Sequence, residues 1–345
     1  MGLPELWFVL IGVLLAGYAV FDGFDLGVGT LYPILGKTEQ DKSVMRLAIG
    51  PVWDGNEVWL LTAGGALFAA FPPVYATVFS GFYLALMLLL FALIFRAAAL
   101  EFRHVDPAWA KLWDVAFFLG SAIPALLFGV AVGNIIGGLP LTASGEFIVG
   151  GGAPIFAANL LAALNPYALI IGIFGLVWIL WHGASWLAVK TTGDLYGRAV
   201  RTRRALTVAF AVAFAGATAA TAVFAPDAFA RATGSVFGWV FIVVAIAGAI
   251  LSWVSGRGGA DLRAFYGSSL AVVGMVGIWA ASIFPALVPS VGPGESLTVA
   301  NSSSSQLTLT VMLIIAAIGV PLVLFYFFLI YRTYAGRIEA SAEGY

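Results

Sequence analysis

Cysteine is absent from the 345 residues, which excludes disulfides, thiolate metal sites and thiol nucleophiles together. Charge is nearly as scarce: Asp, Glu, Lys and Arg make up 10% of the chain, against about 25% in soluble domains. A net charge of −1 offers no basic face to nucleic acid and no acidic face to a polycation. Histidine occurs twice, His104 among charged residues and His182 alone in the apolar stretch WHGASW. Haem held between helices needs axial ligands such as His, Met, Cys or Tyr, so no haem ligand is expected in this chain. His182 is the weak candidate, and a hydrogen-bonded packing residue is the alternative reading of it. No HExxH, phosphate-loop or dinucleotide pattern occurs, and metal binding by the chain alone is not expected. Lys and Arg are missing before Lys37, so the first apolar run lacks the basic head of a signal peptide and reads as a retained membrane helix.

Apolar residues dominate instead, at 62% of the chain, with 14% aromatic. Runs of about 20 such residues cross a bilayer as helices. Nine are present, near 5–33, 50–70, 75–98, 114–137, 166–189, 204–224, 235–254, 264–286 and 307–332. The expected fold is an all-α integral membrane protein with nine transmembrane helices in a single polytopic domain, 1–345. Cytoplasmic loops retain Lys and Arg; with the N-terminus outside and the C-terminus cytoplasmic, 15 of the 16 basic residues fall on the cytoplasmic side and Arg231 alone outside.

A faint echo links GSAIPALLFGVAVGN from Gly120 with GSSLAVVGMVGIWAA from Gly267. It suggests two four-helix units, 1–140 and 160–288, plus a ninth helix at 306–333. Gly23 with Gly27, and Gly129, Gly133 and Gly137, have the spacing of close helix contacts. Among the outer connections, 71–75 reads as a tight Pro-Pro turn. Segments 138–165 and 285–306, rich in Gly, Pro and Ser, read either as solvated connectors or as covers over a partner's outer face. NSSSSQ, from Asn301, reads as a helix cap.

Chemistry is expected around 50–70, GPVWDGNEVWLLTAGGALFAA, where Asp54 and Glu57 sit three residues apart and so on one side of a helix. Asp22 and Asp25 in FDGFDLG repeat the arrangement at the end of the preceding span, so two acidic pairs meet across one short loop. At a rise of about 1.5 Å per residue, Asp22 lies about 27 Å along a helix that starts at Pro4. All four carboxylates then fall in the cytoplasmic half. Carboxylates in membrane spans cost several kcal/mol unless they face protein or water, so such groups are functional candidates. They can relay protons inward, or lock helix ends by bonding Arg96, Trp53, Asn56, Trp59 or backbone amides. Arg96 itself is either their ion-pair partner or a cation snorkelling to the surface. A secondary transporter using these carboxylates, or a purely structural scaffold, remains an alternative.

The stretches FDGFDLG (21–27), IGPVWDGNEVWLLTAGGALFAAFP (49–72), FSGFYLALMLL (79–89), FR (95–96), GSAIPALLFGVAVGN (120–134), SSQLTLTVM (304–312) and YRTYAGRI (331–338) together resemble subunit II of the cytochrome bd quinol oxidases, bacterial terminal oxidases. The similarity runs in order over nearly the whole chain. The resemblance implies a heterodimer of two nine-helix subunits in the bacterial inner membrane. Subunit I would hold two b-type haems, one haem d and the quinol-oxidising loop, and this chain no cofactor. Its implied role is to stabilise subunit I and to supply part of a cytoplasmic proton path, with Asp54 matching the WDGN aspartate. Quinol is the implied substrate. Membrane lipid, quinone and small accessory subunits are further possible contacts, none carried by a motif here. The short outer connection at 225–234 departs from longer loops in relatives.

Overall fold

The structure is a computed structural model that describes residues 2–105, 107–147 and 155–338. Its helices are α1 (Leu3–Leu35), α2 (Glu39–Leu47), α3 (Trp53–Ala70), α4 (Pro72–Gly81), α5 (Tyr83–Phe102), α6 (Ala110–Gly137), α7 (Ile155–Ala163), α8 (Pro166–Lys190), α9 (Gly193–Phe224), α10 (Pro226–Gly234), α11 (Val236–Arg257), α12 (Asp261–Ile283) and α13 (Gln306–Thr333). Two short strands, β1 (Ala286–Val288) and β2 (Leu297–Thr298), pair antiparallel between α12 and α13.

Among the described residues, eight helices are long and apolar enough to cross a membrane: α1, α5, α6, α8, α9, α11, α12 and α13. The second expected span, α3, is 18 residues long and carries Asp54 and Glu57, which lower its hydropathy. The third expected span is broken. The chain re-enters helix at Pro72, directly after Phe71, and α4 gives way to α5 at Phe82. Gly81 lies at this break because Phe147 crowds it: a Cβ there would meet the Phe147 ring at 2.3 Å, while Asn159 Nδ2 donates to its carbonyl at 3.2 Å. The link between the first two spans is longer than a short loop, since residues 36–52 contain α2. The short outer connection after α9 is itself helical, as α10.

The centre of the bundle is the second half of α1 and the last third of α8. Every residue from Asp22 to Tyr32 is buried, as is every residue from Trp181 to Ala188. A helix that is apolar on all sides has no solvent face and is enclosed by its neighbours; α1 packs on α3, α6 and α8. Small residues permit the approach. Gly27 faces Gly183 so closely that a Cβ on Gly183 would lie 2.5 Å from the Gly27 carbonyl carbon. Gly120 and Gly267, which begin the two echoed stretches, each sit at a tight crossing with the preceding helix, against Ala92 and Arg96 in one case and Ser252 in the other. By contrast, α13 fully buries only Leu309 and Phe327.

At the end away from the basic residues, the two long connections pack on each other. Leu139 N–H donates to Pro289 O at 2.8 Å, and Val291 N–H returns a bond to Leu139 O at 3.0 Å. Residues 148–154 of the first connection lie outside the described residues. Ser305 caps α13 by accepting from the Thr308 N–H at 3.2 Å.

At the basic end, ion pairs join α2, the end of α5, α6 and α9 beside the apolar core. Asp114 of α6 pairs with Lys42 at 2.7 Å and Arg103 at 2.9 Å, and Arg103 reaches Glu39 at 2.5 Å. Asp41 caps α2 by accepting from Thr38 N–H at 3.0 Å and pairs with Arg198 at 2.7 Å. Burial alone would raise the Asp41 carboxyl, but the Thr38 bonds and the Arg198 charge hold it below its ordinary value. A lowered carboxyl stabilises the fold at pH above its unfolded value, and that stability is lost as pH falls through the folded value. Thermal melting in detergent should therefore separate the wild type from Asp41→Asn at neutral pH and bring the two together in acid. Gly183→Val should destabilise the bundle at every pH, by about 1–3 kcal/mol of overpacking, read as a lower melting temperature.

Candidate functional site

Asp22 and Asp25 lie one turn apart on α1, and both are wholly buried. Burial follows from their position in FDGFDLG, where Gly23 and Gly27 let α8 close over the helix. Arg96, also wholly buried, enters from α5 and spends one nitrogen on two carboxylates: Nη2 lies 2.7 Å from Asp22 Oδ1 and 2.6 Å from Glu57 Oε1. These bonds tie α1, α3 and α5 at a single point. Arg96 is therefore an ion-pair partner, not a cation snorkelling to the surface.

Asp25 is served by a different neighbour. Asn56 Nδ2 donates to Asp25 Oδ2 at 2.7 Å and approaches Phe21 O at 3.3 Å. Its Oδ1 accepts from the Tyr331 hydroxyl at 2.9 Å. Asp22 Oδ2, Asp25 Oδ1 and Arg96 Nε and Nη1 are buried without a hydrogen-bond partner among the described residues.

Glu57 is the boundary member, with 25% of its side chain exposed. Asp54, one turn earlier, is exposed, and its Oδ1 accepts from the Gly55 N–H at 2.7 Å. Of the expected site residues, Asp22, Asp25, Glu57, Arg96 and Asn56 thus come together, and Asp54 stands at their mouth. Trp59 contributes rings: it packs on Phe21 and Phe327, and its Nε1 has no partner among the described residues. Trp53 is half-buried at the start of α3.

The cluster has three carboxyls against one guanidinium. A buried group with more acids than cations reaches neutrality by holding protons, and it can release them where a path is open.

His182 is a tie between helices. Its Nε2 lies 2.9 Å from Val20 O of α1 and its Nδ1 2.8 Å from Ser268 Oγ of α12, with the ring stacked on Phe265. A carbonyl only accepts, so Nε2 carries the proton; Ser268 Oγ, which lies against Nδ1, is also 2.8 Å from Phe265 O. Both nitrogens are engaged, so His182 does not fit an axial haem ligand.

Sequence reasoning did not single out Tyr331, nor a second buried pair at the basic end. There Arg203 Nη1 meets Asp261 Oδ1 at 2.9 Å, and Arg337 Nη2 meets Asp261 Oδ2 at 3.0 Å. The available signal was Asp261 itself, a lone acid between Arg257 and Arg263 at a span boundary.

Residues 3–334 match the family model described as cytochrome bd terminal oxidase subunit II. The chain is 39% identical to the probable cytochrome oxidase subunit 2 of Haemophilus influenzae, over 97% of this chain and 95% of the relative. It is 34% identical to the cytochrome bd-I ubiquinol oxidase subunit 2 of Escherichia coli K12, over 96% and 94%. It is 36% identical to the cytochrome bd ubiquinol oxidase subunit 2 of Bacillus subtilis, over 93% of each. The fold matches a chain of the bd oxidase structure from Geobacillus thermodenitrificans with a TM-score of 0.78, covering 97% of this chain and 99% of that one at 14% identity. The chain therefore belongs to the cytochrome bd terminal oxidase subunit II family, as a multi-pass inner-membrane subunit of a haem-bearing bacterial quinol oxidase.

Proposed function

We propose that this chain pairs with and steadies the haem-bearing subunit I, and that it passes protons from the cytoplasm toward the site of oxygen reduction by way of Asp54, Glu57, Asp22 and Asp25. Two b-type haems and one haem d would reside in subunit I, as the family resemblance implies. The N-terminus lies outside and the C-terminus in the cytoplasm, in keeping with the placement of the basic residues. Oxygen reduction takes up protons and quinol oxidation releases them. With uptake on the cytoplasmic side and release outside, charge is separated without a pump.

The observation that carries this reading is the graded exposure of the carboxyls. Asp54 is exposed, Glu57 is a quarter exposed, and Asp22 and Asp25 are wholly buried. Glu57 and Asp22 are bridged through one Arg96 nitrogen. A proton taken up at Asp54 meets Glu57 one turn inward and then Asp22, the two carboxyls being held together by the shared Arg96 nitrogen, which itself takes no proton.

The same contacts favour a second role for part of the set. Asp22 and Glu57 are locked by Arg96, whereas among the described residues Asp54 bonds its own neighbouring backbone. Asp54 is thus the residue at which transfer separates from structure. In the intact complex, Asp54→Asn should slow quinol-driven oxygen uptake while leaving the reduced-minus-oxidised haem spectrum unchanged; undiminished uptake would remove Asp54 from the path. Arg96→Met should act on the fold first, because it leaves two carboxylates facing each other without their cation, at a cost of about 3–5 kcal/mol. The readout is a loss of assembled, haem-containing complex from membranes.

A further inference from the structure

We infer that Tyr331 is a positioning residue for the carboxyl cluster: its hydroxyl fixes Asn56 so that the Asn56 amide points at Asp25, and the segment following α13 straps Tyr331 into that place. This rests on the proton-transfer reading above.

The orientation of Asn56 is set by three contacts. Its Nδ2 lies between two acceptors, Asp25 Oδ2 and Phe21 O, and its Oδ1 accepts from Tyr331. An asparagine amide turned end for end would aim its oxygen at the Asp25 carboxylate, and the Tyr331 donor opposes that turn. Asn56 is the side chain that donates to Asp25 among the described residues, and Tyr331 is the group that anchors Asn56 from behind.

Tyr331 lies near the end of α13, a helix that is mostly exposed and buries only Leu309 and Phe327. Its ring rests on Phe21 and Phe327, 5.6 and 5.9 Å between centroids, and beside it lies a cavity of about 70 Å³ bordered by Leu47, Val52, Trp186, Lys190 and Ile338. What closes it is the chain after Thr333. Lys190 Nζ donates to Tyr334 O, and Ile338 N–H donates to Lys190 O at 2.8 Å. Arg337 bonds Thr191 O at 3.2 Å and Asp261 Oδ2 at 3.0 Å, with its guanidinium 4.5 Å over the Tyr196 ring. Gly336, at φ +101°, makes the turn that brings Arg337 and Ile338 back onto α8 and α9. The strap is thus fastened to three helices, and its first anchored carbonyl is three residues beyond Tyr331.

The test compares Asp25→Asn, Tyr331→Phe and Arg337→Ala in the intact oxidase, measuring haem spectrum, kcat and KM for quinol, and the infrared carboxyl band that Asp25→Asn abolishes. Tyr331→Phe is expected to keep the haem spectrum and KM, to lower kcat about fivefold, the worth of one buried hydrogen bond, and to shift that band. A merely structural tyrosine would leave the band in place. If Asp25→Asn slows turnover while Tyr331→Phe alters neither kcat nor the band, the positioning role is overturned and the relay stands. If Asp25→Asn itself leaves turnover intact, the relay reading fails, and the positioning role with it. Should Tyr331→Phe not assemble, Arg337→Ala decides by the same band, because it loosens the strap from outside the cluster: a shifted band upholds the inference and an unshifted one overturns it.

Discussion

A guanidinium taken out of water must find anions, and Arg96 finds two on different helices with one nitrogen. Much of the architecture follows from that constraint. The cation comes from α5, its partners from α1 and α3, so the three helices are fixed in register at the depth of the carboxylates. Burying an ion pair gains little over a well-packed apolar core, while breaking one is costly. The cluster is therefore poor evidence of a protein seeking stability. It is better understood as charge that the chain has reason to keep inside the membrane, with the surrounding bundle built to tolerate it.

Tolerance depends on close packing that excludes lipid from the charged residues. The Gly27–Gly183 approach brings α8 onto α1 just past Asp25, and His182, one residue from that contact, ties α1 to α12. Together these shield the inner face of α1 without supplying any further charge. Toward α3 the cluster reaches the surface, through Glu57 and then Asp54.

Local signals in the sequence were enough to find the spans, the placement of basic residues and the acidic pairs, because hydropathy, loop charge and i, i+3 spacing are properties of short segments. They also placed a cap within 301–306, where Ser305 supplies it, and the close contacts at Gly27 and Gly129. The failures are of other kinds. The break at Phe82 depends on Phe147 and Asn159, far along the chain, so the apolar run from 75 to 98 reads as one helix. The span α3 was found by its apolar residues, although Asp54 and Glu57 leave it outside the helices that hydropathy alone would select. The bond from Tyr331 to Asn56 joins residues 275 positions apart, and nothing local to either announces it.

That long bond also bears on how structure and transfer divide within one site. A residue that locks helices takes a charged partner from another helix, as Glu57 and Asp22 each do from Arg96 Nη2. Among the described residues Asp25 has no cation of its own; it is bonded by a neutral amide that itself accepts from a neutral hydroxyl. A hydrogen bond from a neutral donor is weaker than one from a guanidinium, so Asp25 is held less tightly by its partner than Asp22 and Glu57 are by Arg96. A less tightly held carboxyl is the one free to adjust its contacts as a relay turns over. Arg96 then supplies the rigid frame, and the weaker chain from Tyr331 through Asn56 supplies the adjustable contact within it.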